Sequence, residues 1–397
     1  MEVKQIYELV NTATEEATGK KDLVSENLTN LVDVGKTIED ARGVDNYVRS
    51  LVDHIGRMVF VSRSYSGTIP SVLKDGWEFG SILQKVSVKI PEAQENESWE
   101  LVNGTSYDPN IFTSMEVSST FYNGLKTFEV PYSITERQVK SSFNSAEQMN
   151  AFLSSIYTAI DNSMTLKTEE MIRRVVNYGM ASAAFADFTE DHSPEAIAKG
   201  SGVKCVNLLH LYNTAFGKTL TAVQAMHDPD FIRFSSKTMM DYATRMRTMS
   251  TLFNVKGEER FTPSDKMNVV LLSDFMNAAK VYLYGGNGEF KAADYAALPA
   301  AEIVPYWQGS GTKYDFADTS KIDVFIADGD KGNKKTRIQL TGVLGCMFDT
   351  DSVAVCNQNQ RITSNYNAKA EFTNYYEKWD ANYLYALDEN FAVFVAM

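Results

Sequence analysis

The sequence is poor in the residues that most protein chemistry uses. Its 397 residues include three cysteines and four histidines. Cys205, Cys346 and Cys356 are odd in number and show no C-x-x-C spacing. That excludes a readable disulfide framework or zinc ribbon and leaves reduced, structural thiols as the expectation. His54, His192, His210 and His227 never take the H-x-x-x-H spacing that puts two imidazoles on one helix face, so no metal residues are assigned. No apolar run approaches the roughly twenty residues of a membrane helix. The N-terminal MEVKQIYELVNTATEEATGKKD is acidic and has no apolar signal core. Intracellular synthesis without a membrane is expected. Lys and Arg are outnumbered by Asp and Glu, 38 to 51, giving a net charge of −13. With no Lys/Arg-rich run, a sequence-reading nucleic-acid surface is excluded, because such surfaces need clustered cations.

Motifs that begin do not finish. DGDKGNKKTRIQ (328–339) opens like a calcium loop. However, Gly332 stands at the third ligand position, Asn333 at the glycine position and Gln339 at the closing glutamate, so a solvated hairpin turn is expected. GGNGEF and GSGTKYDF lack the GK[ST] of a phosphate loop, and no G-x-S-x-G elbow occurs. Four carboxylates, Glu92, Glu95, Glu97 and Glu100, crowd one polar stretch. Catalytic carboxylates need burial or a partner to separate their pKa values, and a polar loop tip offers neither. The better reading is a solvated loop, or one meeting basic residues on a partner. No catalytic residue and no cofactor residue is assigned.

What the chain does have is an ordinary globular composition, 44% hydrophobic and 22% charged, with length for a large core. Residues 1–44 are polar and read as an N-terminal arm. Val48, Leu51, Val52, Ile55 and Val59 have helical spacing, so a helix over 46–58 and a following strand are expected within 45–59. From 60 to 130 the chain makes an excursion. Val86, Val88 and Ile90 alternate with Ser87 and Lys89, about twenty polar residues follow, and alternation resumes on Ile111, Met115, Val117 and Phe121. Two strands leave the body and return. Such an isolated hairpin is marginal in water, so it needs a surface to lie on. Trp77, Phe79 and Trp99, in or beside this arm, read either as ordinary packing or as anchors for a neighbour.

Within 131–186, Ser145 and Gln148 have capping-box spacing. Met149, Phe152, Leu153, Ile156, Ile160, Met164, Met171, Val175 and Tyr178 continue at helical spacing. They predict one helix from about 146 to about 180, perturbed near Asn162–Thr165. Residues 187–360 alternate helices and strands. TMMDYATRMRTM and DFMNAAKVYLY read as helices, MNVVLLS and IDVFIADGD as strands, and VLGCMF with SVAVC as a strand pair turning at DTD. In 361–397, Tyr375, Trp379, Tyr383, Tyr385 and Leu387 share one strand face, and the apolar NFAVFVAM is expected inside a sheet.

This order of elements resembles the tailed-bacteriophage major capsid proteins of the Hong Kong ninety-seven-type fold, most closely the phi-twenty-nine type of short-tailed phages. The resemblance is carried by four stretches: DNYVRSLVDHIGRMVFVSRS; EVPYSITERQVKSSFNSAEQMNAFLSSIYTAIDNSM; DKMNVVLLSDFMNAAK; and VLGCMFDTDSVAV with FTNYYEKWDANYLYAL and FAVFVAM. It covers most of residues 45–397 by layout and spacing rather than by one sharp motif. It implies an α+β fold with an N-arm (1–44), a P-domain helix and strand (45–59), an extended E-loop (60–130), a P-domain with spine helix (131–186), an A-domain (187–360) and C-terminal P-domain strands (361–397). The implied function is a shell of pentamers and hexamers that encloses double-stranded DNA without sequence-specific binding, built in the host cytoplasm and ending in the virion. Trp77, Phe79, Glu92, Glu95, Glu97, Trp99 and Glu100 would then contact a neighbouring subunit. A separate scaffolding protein and a portal are implied as partners, since the arm is short for a cleaved scaffolding segment. The immunoglobulin-like domain of the phi-twenty-nine-type protein has no counterpart before Met397. An encapsulin-type compartment, and an intracellular α/β enzyme with an unrecognised site, are the competing readings.

Overall fold

The computed structural model describes residues 15, 68–74, 83–91, 93, 95–96, 98, 100–107, 110, 114–122, 126–135, 146–284, 301–307, 320–327 and 335–397. Apart from Glu15, the expected N-terminal arm lies outside these residues, as do the helix over 46–58 and the strand after it. Ser145 of the expected capping box lies outside them too.

One helix, α1 (Ala146–Asp187), has 42 residues and extends about 60 Å at 1.5 Å per residue. Its apolar residues recur every three or four positions. Ile160, Met164, Met171, Val175, Met180 and Ala184 are buried on that stripe, with Ile172, Val176 and Ala183 widening it. The expected perturbation near Asn162 does not occur. Asn and Ser compete for backbone hydrogen bonds, but Ile160 and Met164 pack on Trp379 across that turn and hold the helix. Nor does the helix stop at Met180, because the alanine-rich ASAAFAD favours helix. It ends where Asp187 accepts hydrogen bonds from the backbone N–H groups of Lys204 and Cys205.

A five-stranded sheet has the order β5 (Cys205–Asn207), β13 (Phe391–Val395), β10 (Val343–Asp349), β6 (Met267–Leu272), β7 (Ala301–Val304). β13 runs parallel to β5 and antiparallel to β10. Apart from the edge strand β7 these strands are almost wholly buried, and with α1 they form the main core. Gly179 brings helix and sheet together. A Cβ there would lie 2.6 Å from the Phe391 ring, so only glycine admits β13 this close to α1. A four-stranded sheet has the order β1 (Leu73–Lys74), β11 (Val353–Asn367), β12 (Phe372–Tyr385), β4 (Lys126–Thr135). Its aromatic residues pair in rows: Tyr132 stacks on Tyr375 at 5.4 Å, Phe128 meets Trp379 at 5.6 Å, and Tyr385 meets Tyr178 of α1 at 4.6 Å. Two hairpins complete the strands, β2 (Leu83–Val88) with β3 (Val117–Tyr122) and β8 (Ile322–Ala327) with β9 (Lys335–Leu340). The turn of the second hairpin spans the calcium-like stretch, whose residues 328–334 lie outside the described ones.

Among the described residues five further helices flank the sheets: α2 (Pro194–Ala198), α3 (Leu208–Phe216), α4 (Ala222–Ala225), α5 (Pro229–Met246) and α6 (Ser273–Tyr284). Local caps fix several of them. Asn207 accepts from His210 N–H, Thr221 and Gln224 form a capping box, and Asp228 accepts from Asp230 and Phe231 N–H.

One pairing differs from expectation. VLGCMF and SVAVC are not partners: β10 pairs with β6 and β13, and β11 pairs with β12 and β1. β10 is already flanked on both edges, so no ladder remains for β11. The turn between them, where Asp349 accepts from Asp351 N–H, sends the chain into the other sheet. Residues 361–397 therefore divide: the end of β11 and all of β12 lie in one sheet, and β13 lies in the other.

Candidate assembly surface

Among the described residues no three of His, Cys, Asp and Glu are placed to hold a metal. Cys205 and Cys346 are fully buried, and burial pushes both thiols up, away from the reactive thiolate. His192 lies flat on Phe185. No helix among the described residues is long and apolar enough to cross a membrane.

The β2–β3 hairpin is built differently from the rest. Leu83 stands opposite Tyr122 and Val88 opposite Val117, so the two faces can be read from the register. One face carries Val86, Val88, Val117 and Phe121, with a Gln84–Ser119 hydrogen bond of 2.8 Å between Phe121 and the valines, and is continued past the strands by Ile90 and Met115. All six apolar residues are between 45% and 64% exposed. The opposite face is polar. Ser87 and Ser118 hydroxyls lie 2.6 Å apart, and Lys89 donates to Glu116 at 3.0 Å. Only at its root, through Lys85 and Tyr122, does this face meet the body, while the apolar face points outward, the reverse of an ordinary half-buried sheet.

Beyond the strands, Gly104 (φ 90°) and the Thr105 N–H to Val102 carbonyl bond make a turn. Leu101, Val102 and Tyr107 are exposed there, as are Glu95 and Glu100. Of the other residues expected to contact a neighbour, Trp77, Phe79, Glu92, Glu97 and Trp99 lie outside the described residues.

At its root the hairpin meets the body. Lys85 Nζ donates to Glu389 at 2.6 Å and lies 3.2 Å from Asp388. The Tyr122 ring sits edge-on to Tyr385 at 6.1 Å. Burial works to raise the Asp388 carboxyl, but Lys85, a backbone hydrogen bond and Lys256 together hold Asp388 below its usual value. Burial pushes Glu389 up, and Lys85 offsets only part of that. Burial and the nearby Asp388 charge push Tyr122 up to about 12. Sequence reading missed this root, because Lys85 and Asp388 are three hundred positions apart and carry no local signal.

No curated protein matches the sequence. Solved structures do. The capsid of Staphylococcus phage Andhra aligns over 82% of this chain and 83% of its own, at 9% identity and a TM-score of 0.47. A chain from native bacteriophage P68 aligns over 85% and 86%, at 8% identity and 0.49. The capsid of Cyanophage P-SCSP1u aligns over 85% and 92%, at 10% identity and 0.44. A family model described as Phi29-like phage major capsid protein matches residues 10–395. By that match over nearly its whole length, the chain belongs to the Phi29-like phage major capsid protein family.

Proposed function

We propose that the outward apolar face of the β2–β3 hairpin is the surface by which one subunit of the phage shell lies over its neighbour. The chain is a phage major capsid protein, a shell subunit of the virion. The observation that carries the reading is the six-residue apolar face of Val86, Val88, Ile90, Met115, Val117 and Phe121, all exposed on an arm that has a polar face to turn outward instead. An isolated two-stranded arm is marginal in water, and an exposed apolar patch marks a contact surface. A second subunit supplies the cover. The connection after β2, with Glu92, Glu95, Glu97, Trp99 and Glu100, and the segment before β2, with Trp77 and Phe79, extend the same contact.

In this reading β2–β3 with its tip is the E-loop, α1 the spine helix, the four-stranded sheet the P-domain, and the five-stranded sheet the A-domain, with β13 crossing back into it. Subunits gather as pentamers and hexamers around double-stranded DNA, with separate scaffolding and portal proteins as partners. A net charge of −13 suits a wall that confines DNA rather than gripping it.

The test exchanges the apolar face for a charged one that the hairpin itself tolerates. Val88→Lys with Val117→Glu sets opposite charges directly across the strands, which supports pairing. The double variant should keep the circular dichroism spectrum and sediment as small species. Even about 1.4 kcal/mol lost per contact lowers each association constant tenfold. Shells of normal yield and stability from this variant would refute the reading.

A further inference from the structure

The root of the hairpin holds more charge than a simple strand anchor needs. Asp388 and Glu389 are adjacent in the connection between β12 and β13, and two cations from separate segments converge on them. Lys85 comes from β2, at 3.2 Å from Asp388 and 2.6 Å from Glu389. Arg260 comes from the loop after α5, at 3.6 Å from each carboxylate. All four side chains are less than 20% exposed. Lys256 and Asp349 add weaker charge from their own segments.

The two cations are not equivalent. Arg260 belongs to the body, where its backbone pairs with Ser250. Lys85 belongs to the hairpin. The hairpin's own ladder is complete from Leu83–Tyr122 to Val88–Val117, so it can move as one piece. The chain on either side is pinned. Thr68 donates through N–H and hydroxyl to Glu169, Ser71 does the same to Glu302, and Lys74 pairs with Asp351. On the far side β4 is laddered to β12. Between these fixed points Lys85 and Tyr122 tie the hairpin to the body, and both contacts fall on Tyr385–Glu389.

We propose that the Lys85–Asp388–Glu389–Arg260 cluster is an electrostatic latch that sets the angle of the hairpin to the body, and that releasing Lys85 lets the hairpin swing as a unit. Arg260, 3.6 Å from each carboxylate, stays beside them when Lys85 leaves, so Lys85 has a standing site to enter and leave. Two carboxylates left with one cation of their own repel each other, which favours Lys85 returning. Tyr122 against Tyr385 is a ring contact without a hydrogen bond and can slide. A latch of this kind gives the arm two positions without refolding it. Its use in shell building rests on the hairpin being the assembly arm; the latch itself does not.

The test measures the angle in unassembled full-length subunits. Spin labels go on Glu116→Cys, exposed just before β3 and off the apolar face, and Lys237→Cys, exposed on α5. The native cysteines are buried and do not compete for label. With Lys85 intact the distance distribution should be narrow. Lys85→Met should broaden or shift it while the melting temperature of the body stays put. Lys85→Arg, which keeps the charge, should stay narrow. Arg260→Met should also stay narrow, since it leaves Lys85 as the principal partner of both carboxylates. If Lys85→Met leaves the distribution unchanged, or Arg260→Met broadens it equally, there is no latch. Shell yield separates the two ideas. A broadened distance with normal shells would leave the latch standing and remove it from shell building, whereas an unchanged distance would sink the latch and leave the apolar contact face untouched.

Discussion

Asp380 shows how one residue joins three strands. It sits on β12, accepts from the Thr127 hydroxyl of β4 at 2.6 Å, and takes Arg361 Nη1 of β11 at 2.7 Å. The Arg361 hydrogen bond, outweighing burial and helped by Thr127, holds its carboxyl below the usual range. The sign follows directly. A depressed carboxyl stabilises the fold fully above the ordinary Asp value of about 3.9 and loses that effect as pH falls through the lower folded value. Asp380→Asn should therefore cost about 0.5–1 kcal/mol at neutral pH, since Arg361 is half exposed. Urea unfolding across a pH series checks this: the gap between variant and parent should close in acid. A gap that is constant with pH would mean that the charge is not what Asp380 contributes. Nothing in the sequence marked Asp380 out. Its partners follow from strand register, Asp380 opposite Thr127 and beside Arg361, and register is fixed by long-range packing rather than local pattern.

Among the elements, α1 was the most legible, and for a physical reason. A long amphipathic helix repeats its signal every three or four residues, so many positions agree. Its C-terminal half carries Ile172, Val176 and Ala183, each 0% exposed in the main core. Ile172→Ala should cost about 2–5 kcal/mol and lower the melting temperature of the free subunit, with shell yield falling in step. An unchanged melting temperature would remove α1 from the core. Phe152 and Ile156 mark the same stripe in the sequence, but their side chains are outside the described ones. The β10–β11 pairing was misread because a short turn between two apolar strands looks the same whether it closes a hairpin or changes sheets. The hairpin β2–β3 was read correctly as two strands leaving and returning. Which of its faces points outward was not legible, because alternation gives the two faces without saying which one the body takes.

At the scale of the molecule, charge is the property the sequence shows most directly. A subunit of net charge −13 has no reason to hold a polyanion. Free subunits should bind duplex DNA more weakly than about 10⁻⁴ M at physiological salt, with little salt dependence, since few counterions are released. Micromolar binding in a filter assay, falling steeply with salt, would overturn the picture of a wall that confines DNA without gripping it.

The order of strands in the five-stranded sheet also governs the timing of folding. β13 lies between β5 and β10, yet its residues 391–395 come some 180 positions after β5 and forty after β10. Domains that finish early in the chain fold while the rest is still being made. This sheet cannot, because β13, one of its interior strands, is synthesised after both its neighbours. Until Phe391–Val395 leaves the ribosome, β5 and β10 face an empty slot, and the Phe391 ring that seats on Gly179 has not arrived. A chain released before that point lacks the centre of its core and cannot present a finished surface to other subunits. A shell made of many copies is spoiled by a few defective ones, and here translation itself withholds the defective ones from assembly.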